Sequence, residues 1–161
     1  MLALRYAAVL ALVSWVGGLA ALGGIAAPVA FDVLGAGGAE GRALAGAVFG
    51  ETLRRFQGVA YVCGMVLAAS LIVRAVLGPR PRLFSLRLLV TTAMLAAAAW
   101  TGFVLIPQIE EAQRALAMPV SALPEGDPRR AEFGRLHGLS GALQLVPIAG
   151  GLALLLFELK D

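Results

Sequence analysis

Four long stretches of the chain contain no charged residue, and each has about the 17 to 25 residues that a membrane-spanning helix needs. They cover residues 6–31, 56–73, 88–109 and 138–157. The pattern predicts an all-α fold, an integral membrane four-helix bundle that forms a single domain over residues 1–161. The predicted helices cover residues 6–31, 56–77, 84–109 with an extension to 118, and 128–158.

Helical spacing continues outside the apolar stretches. Glu51 and Arg55 lie four residues apart, as do Glu110 and Arg114, and such pairs stabilise helices. We therefore expect a helix to restart near residue 40 and to run on into the second apolar stretch. Asp127 stands directly before a proline and predicts the N-cap of the last helix.

One face of the last helix is polar although the helix is otherwise apolar. At 3.6 residues per turn His137, Ser140 and Gln144 share this face, and a helix that met only lipid would not bury a glutamine. We therefore expect this face to contact other helices. Polar residues of the other helices predict a polar mouth at the end of the bundle opposite to the chain termini. The candidate site comprises Arg54, Gln57, Tyr61, Gln108, Glu110, Arg130, Phe133, His137, Ser140 and Gln144.

Composition excludes several classes of protein. The chain is 60% hydrophobic with a mean hydropathy of +0.86, which leaves too little charge for the surface of a soluble domain. The net charge of +3 does not indicate nucleic-acid binding, because the arginines are spread over helix ends. A single cysteine, Cys63, excludes a disulfide framework, and no phosphate loop, serine elbow or zinc-protease motif occurs. These absences favour a binding or structural role over an enzyme.

Basic residues suggest how the bundle is oriented. Arg5, Lys160 and the four arginines of residues 74–87 lie on one side of the predicted topology, and seven arginines lie on the other. The density of arginines in the short connection favours cytoplasmic termini. The abundance of arginine, alanine and glycine suggests a bacterial inner-membrane protein.

Three functions fit these observations. In the first, the polar mouth binds a partner or a small solute; its residues can equally be helix-end charges that meet lipid headgroups. In the second, the protein handles copper or haem in redox chemistry, with His137 and Cys63 as the available ligands, although helical spacing does not bring them together. In the third, it is a structural subunit of a membrane complex or a homo-oligomer. No cofactor is predicted for the first and third functions, and membrane lipid surrounds the bundle in all three.

The start of the last helix resembles a known family. Phe133, His137 and residues 138–140 form the pattern FxxxHGLS. This pattern resembles the opening of the last helix in the transmembrane-protein-205-like family, a four-helix membrane domain of unknown function. Residues 15–18, 49–61 and 104–113 are similar to it more loosely. The resemblance implies a four-helix membrane fold with a distant likeness to copper-resistance-D-type membrane domains, some of whose relatives handle copper or haem.

Overall fold

Four long helices make up the fold in the computed structural model, which describes residues 2–78, 80–116 and 118–160 and shows no strand within these ranges. The helices are α1 (Leu2–Gly35), α2 (Gly38–Leu77), α3 (Phe84–Arg114) and α4 (Pro128–Lys160), and each is long and apolar enough to cross a membrane. A short 3₁₀ turn, Val120–Ala122, lies between α3 and α4. The predicted all-α class with four apolar spans is confirmed.

The helix bounds differ from the predicted ones mainly at the ends. The first helix is longer than predicted at both ends, and α2 starts at Gly38, close to the expected restart near residue 40. The third helix ends at Arg114, short of the predicted extension to residue 118, part of which falls on Ala117, outside the described residues. Turn hydrogen bonds close the helix after Arg114, and Pro119 disfavours helical backbone in the residue before it.

Each helix packs mainly against its neighbours in the chain, and α1 closes the bundle against α4. The core lies in the half of the bundle nearest the chain termini, around Leu12, Trp15 and Met94. Small residues allow close helix approach there. A side chain at Gly151 would collide with Val16.

Helices α1 and α3 each contain a π-helical turn followed by a proline. In α1 the turn is Leu22–Ala26 and Pro28 follows, and in α3 the turn is Thr101–Leu105 and Pro107 follows. The backbone N–H groups of the residues just before the prolines donate to carbonyls five residues back. A wider turn accommodates the proline ring, which would otherwise press on the carbonyl four residues earlier.

The packing of the four helices changes at the two π turns. Beyond its π turn, α1 packs against α2, and beyond its π turn α3 packs against α4. These two pairs make few direct contacts with each other, and the Val120–Ala122 turn joins them by touching both α2 and α4. We call this end of the bundle the mouth. The termini lie at the opposite, closed end, where Arg5 of α1 contacts Glu158 of α4.

Candidate functional site

Two predicted site residues of α2 meet the backbone of α3 at the base of the mouth. The side-chain amide of Gln57 is buried and donates to the carbonyl oxygen of Ala98 at 3.2 Å. The hydroxyl of Tyr61 approaches the same oxygen at 3.5 Å, and its ring stacks on Phe103 with centroids 5.5 Å apart. Gln57 and Tyr61 therefore face α3.

Gln144 places an amide without a partner in the interior. Its Nε2 atom is buried and has no hydrogen-bond partner, while Ser140, one turn away, is also buried. Glu158 of α4 and Arg87 of α3 contact each other at the closed end and give a common reference level. At a rise of 1.5 Å per residue, Gln144 lies about 21 Å along α4 from Glu158, and Thr101 lies about 21 Å along α3 from Arg87. Gln144 is thus at about the depth of the π turn of α3. A buried donor without a partner is costly and is normally matched by an acceptor.

His137 departs from the sequence-based expectation. Its side chain is exposed rather than packed against other helices. The reason is that the part of α1 beyond its π turn packs against α2 and leaves this level of α4 uncovered. The imidazole instead stacks on Phe133 of its own helix, with ring centroids 6.1 Å apart. Arg130 caps the preceding turn by donating to the carbonyl oxygen of Leu123 at 3.0 Å.

Charged residues at the mouth pair mostly within their own helices. Arg54 donates to Glu51 at 2.7 Å and 2.9 Å, and Arg114 donates to Glu110 at 3.0 Å. Between helices, Glu110 attracts Arg54 electrostatically. Gln108 is exposed. Exposed ion pairs of this kind contribute little stability, so these charges make the mouth polar without holding its helices firmly together.

The N-terminus of α4 has the predicted cap. A carboxylate oxygen of Asp127 accepts the backbone N–H of Arg129 at 2.9 Å, and the guanidinium of Arg129 donates to both carboxylate oxygens. The side-chain hydrogen bonds from Arg129, together with its backbone N–H, hold the pKa of Asp127 below its usual value.

The candidate metal ligands are far apart. Cys63 is buried in the core, whereas His137 is exposed near the mouth. Counting from Arg74 and Glu158, which contact each other, Cys63 and His137 are roughly 15 Å apart along the bundle axis. Among the described residues, no group of three or more His, Cys, Asp or Glu side chains could hold a metal ion.

Sequence analysis missed a buried ion cluster at the closed end. Glu158 of α4 is 8% exposed and accepts hydrogen bonds from Arg74 of α2 at 2.8 Å and 3.0 Å. It also accepts one from Arg87 of α3 at 2.7 Å. Arg5 of α1 donates to the backbone carbonyl oxygen of Glu158 at 2.7 Å. One glutamate therefore joins all four helices.

Secondary contacts hold the cluster in place. Arg87 also donates to the carbonyl oxygen of Phe157 at 3.0 Å, and Thr91 donates to the carbonyl oxygen of Arg87. Beside these groups lies a cavity of about 20 Å³, room for about one water molecule. It is lined by Ala8, Leu12, Leu67, Leu71, Arg74, Arg87, Thr91, Leu154 and Glu158.

The sequence contains a pattern that indicates this buried ion cluster. Glu158 is the only acidic residue between Glu132 and Asp161, and it follows an uncharged stretch. Two arginines flank the short α2–α3 connection, which the predicted topology places at the same end. An acid at the end of a membrane helix with arginines at the same level predicts a pair. Treating those arginines as loop residues concealed it.

Comparison with known proteins places the chain in a family but does not assign a function. No curated protein and no solved structure matches the chain. A family model described as a domain of unknown function (DUF4149) matches residues 10–117, which is more than half of the chain and covers most of α1 together with α2 and α3. The FxxxHGLS pattern of α4 lies outside the matched residues. The chain therefore belongs to the DUF4149 family.

Proposed function

We propose that this protein is a non-enzymatic membrane protein whose mouth binds a polar partner, either a small solute or a segment of another membrane protein. The observation that carries the proposal is the buried, unpartnered Nε2 of Gln144 at the base of the mouth. Leaving such a donor unpaired costs about 1–3 kcal/mol. A carbonyl, carboxylate or hydroxyl oxygen of a bound partner would recover that energy.

The residues above Gln144 provide the remaining contacts of the proposed site. His137 exposes an imidazole that can donate or accept a hydrogen bond, and Phe133 supports its ring. Ser140 lies between them and Gln144 on α4. The separation of the α1–α2 pair from the α3–α4 pair at this end supports access from outside the bundle.

Photo-crosslinking in native membranes tests this proposal. The photoreactive residue p-benzoylphenylalanine replaces His137, and a matched control places it at Leu152, an exposed position of the same helix near the closed end. We expect an adduct with a polar solute or a protein at position 137, whereas position 152 should give only adducts with lipid acyl chains. Intact-mass spectrometry distinguishes lipid, a small solute, a second copy of the chain and another protein. The Gln144→Leu substitution should abolish the solute or protein adduct, and the absence of any adduct other than lipid at position 137 refutes the proposal.

We further propose a bacterial inner-membrane location with both termini in the cytoplasm. Four of the six basic residues at the closed end lie within residues 74–87, and this density of arginines in one short connection supports a cytoplasmic closed end. Single-cysteine labelling in a Cys63→Ala background tests it. A membrane-impermeant maleimide applied to intact cells should label Glu132→Cys but not Arg82→Cys, and the reverse result contradicts the proposed orientation.

The other two functions stay proposals with separate tests. Copper or haem chemistry rests on the resemblance to the transmembrane-protein-205-like family and would need ligands beyond His137 and Cys63, from backbone, carboxylates or a second subunit. Elemental analysis and a visible spectrum of protein from native membranes test it. A structural-subunit role predicts a stable co-purifying complex instead.

A further inference from the structure

The closed end has a basic rim outside the buried ion cluster. Arg74 and Arg87 bind the carboxylate of Glu158, and the partly exposed Arg5 also contacts Glu158, while other cations lie at the surface. We define the basic rim as Arg5, Arg80, Arg82 and Lys160, of which Arg5 is partly exposed and the other three are exposed. In the chain segments that form this end, the acidic residues are Glu158 and Asp161. The end therefore carries a clear excess of positive charge.

Two rim arginines lie beside apolar surface. The guanidinium of Arg80 sits over the ring of Phe84, 4.6 Å from its centroid. Arg5 borders a shallow groove on α1 whose lining is almost entirely apolar. That groove is formed by Leu2, Ala3, Arg5, Tyr6 and Val9. A cation at the edge of an apolar surface at the end of a membrane helix is suited to an amphipathic anion.

We propose that the basic rim binds the headgroup of an anionic phospholipid, with one acyl chain along the α1 groove. The charge complementarity and the position at the ends of four apolar helices support a lipid as the occupant. The phosphate would lie among the rim cations, with the exposed Arg80 and Arg82 of the α2–α3 connection as its main contacts. This site is at the opposite end from the mouth, so it is independent of the proposed solute or partner site.

Lipid titration of the purified full chain in a neutral detergent tests the proposal. Native mass spectrometry measures binding of dioleoylphosphatidylglycerol and of dioleoylphosphatidylcholine at low salt. We expect a preference for phosphatidylglycerol, and Arg80→Gln with Arg82→Gln should weaken its binding roughly 30-fold because each basic residue near an anionic surface contributes about fivefold. Binding of phosphatidylcholine should change little.

A matched control replaces two exposed arginines at the mouth end, Arg42→Gln and Arg135→Gln, and should leave phosphatidylglycerol binding unchanged. Unfolding temperatures measured without added lipid show whether each variant is folded, and Lys160→Gln supplies a milder variant of the same rim if the double substitution unfolds the bundle. Equal binding of the two lipids refutes the proposal. The proposal is also refuted if phosphatidylglycerol binding falls equally in the Arg80/Arg82 variant and in the Arg42/Arg135 variant. Displacement of the lipid by millimolar inorganic phosphate refutes it as well.

Discussion

Replacing Glu158 with glutamine tests whether one carboxylate holds the four helices together. Glu158 is 8% exposed, and the guanidinium groups of Arg74 and Arg87 lie within 3.0 Å of it. An ion pair at about 4 Å is worth about 4 kcal/mol at an effective dielectric constant of about 20, before the cost of desolvation is subtracted. Removing one member of a buried pair typically costs roughly 3–5 kcal/mol.

We expect a loss of about 3 kcal/mol for Glu158→Gln, at the low end of that range, because glutamine keeps one oxygen acceptor and the backbone contact with Arg5 does not depend on the side chain. The assay is equilibrium unfolding of the purified protein in mixed micelles with increasing sodium dodecyl sulfate. The matched control is Glu132→Gln, an exposed acid of the same helix, which should change the unfolding free energy by no more than about 0.5 kcal/mol.

A double-mutant cycle separates the pair from its surroundings. With Glu158→Gln and Arg87→Met combined, the loss should be smaller than the sum of the single losses, because the second substitution removes a cation that the first had deprived of its acceptor. A loss below about 1 kcal/mol for Glu158→Gln alone, or strict additivity in the cycle, would show that the cluster does not tie the bundle together.

Three further predictions concern other parts of the fold. Gln57→Leu removes the amide hydrogen bond to the backbone of α3 and should cost about 1 kcal/mol in the same unfolding assay. Gly64→Ala should destabilise the bundle by about 1–3 kcal/mol because its new methyl group meets side chains of α1 and α3, whereas Gly58→Ala, with open space around it, should be neutral or slightly stabilising. Arg129 lowers the pKa of Asp127 in the folded protein. The stability that the Asp127 cap contributes is therefore fully present above the pKa of about 3.9 that Asp127 has in the unfolded chain, and it is lost as the pH falls through the lower pKa of the folded state. A thermal unfolding temperature that falls equally with acid in wild type and in Asp127→Asn would contradict this last prediction.

The number and extent of the helices could be predicted from sequence because they follow from local pattern. Uncharged stretches of sufficient length require internally satisfied backbone, which only a helix provides within one segment. The Asp127 cap follows equally from residues next to each other in the chain. The π turns were not predicted, because a proline within an apolar stretch indicates a kink or a break without specifying a wider helical turn before it.

The site was harder to predict because burial depends on which helices are neighbours at each depth. Periodicity placed His137 and Ser140 on one face, yet only Ser140 is buried, because α1 packs against α2 rather than α4 beyond its π turn. The same limitation concealed the ion cluster. Arg74 and Arg87 read as connection residues in the chain, while in the bundle both lie against Glu158, which is more than 70 residues away from either in sequence.

The two π turns and the ion cluster together explain why the four helices pack differently at the two ends of the bundle. Residues 22–28 and 101–107 both have glycine in the second position and proline in the last. Helices α1 and α3 therefore contain the same π turn followed by a proline at a similar depth. Below the turns, Glu158 links all four helices, and the π turns end that continuous packing above. We therefore expect any ligand-dependent rearrangement to occur at the mouth, where the α1–α2 pair and the α3–α4 pair make few direct contacts with each other.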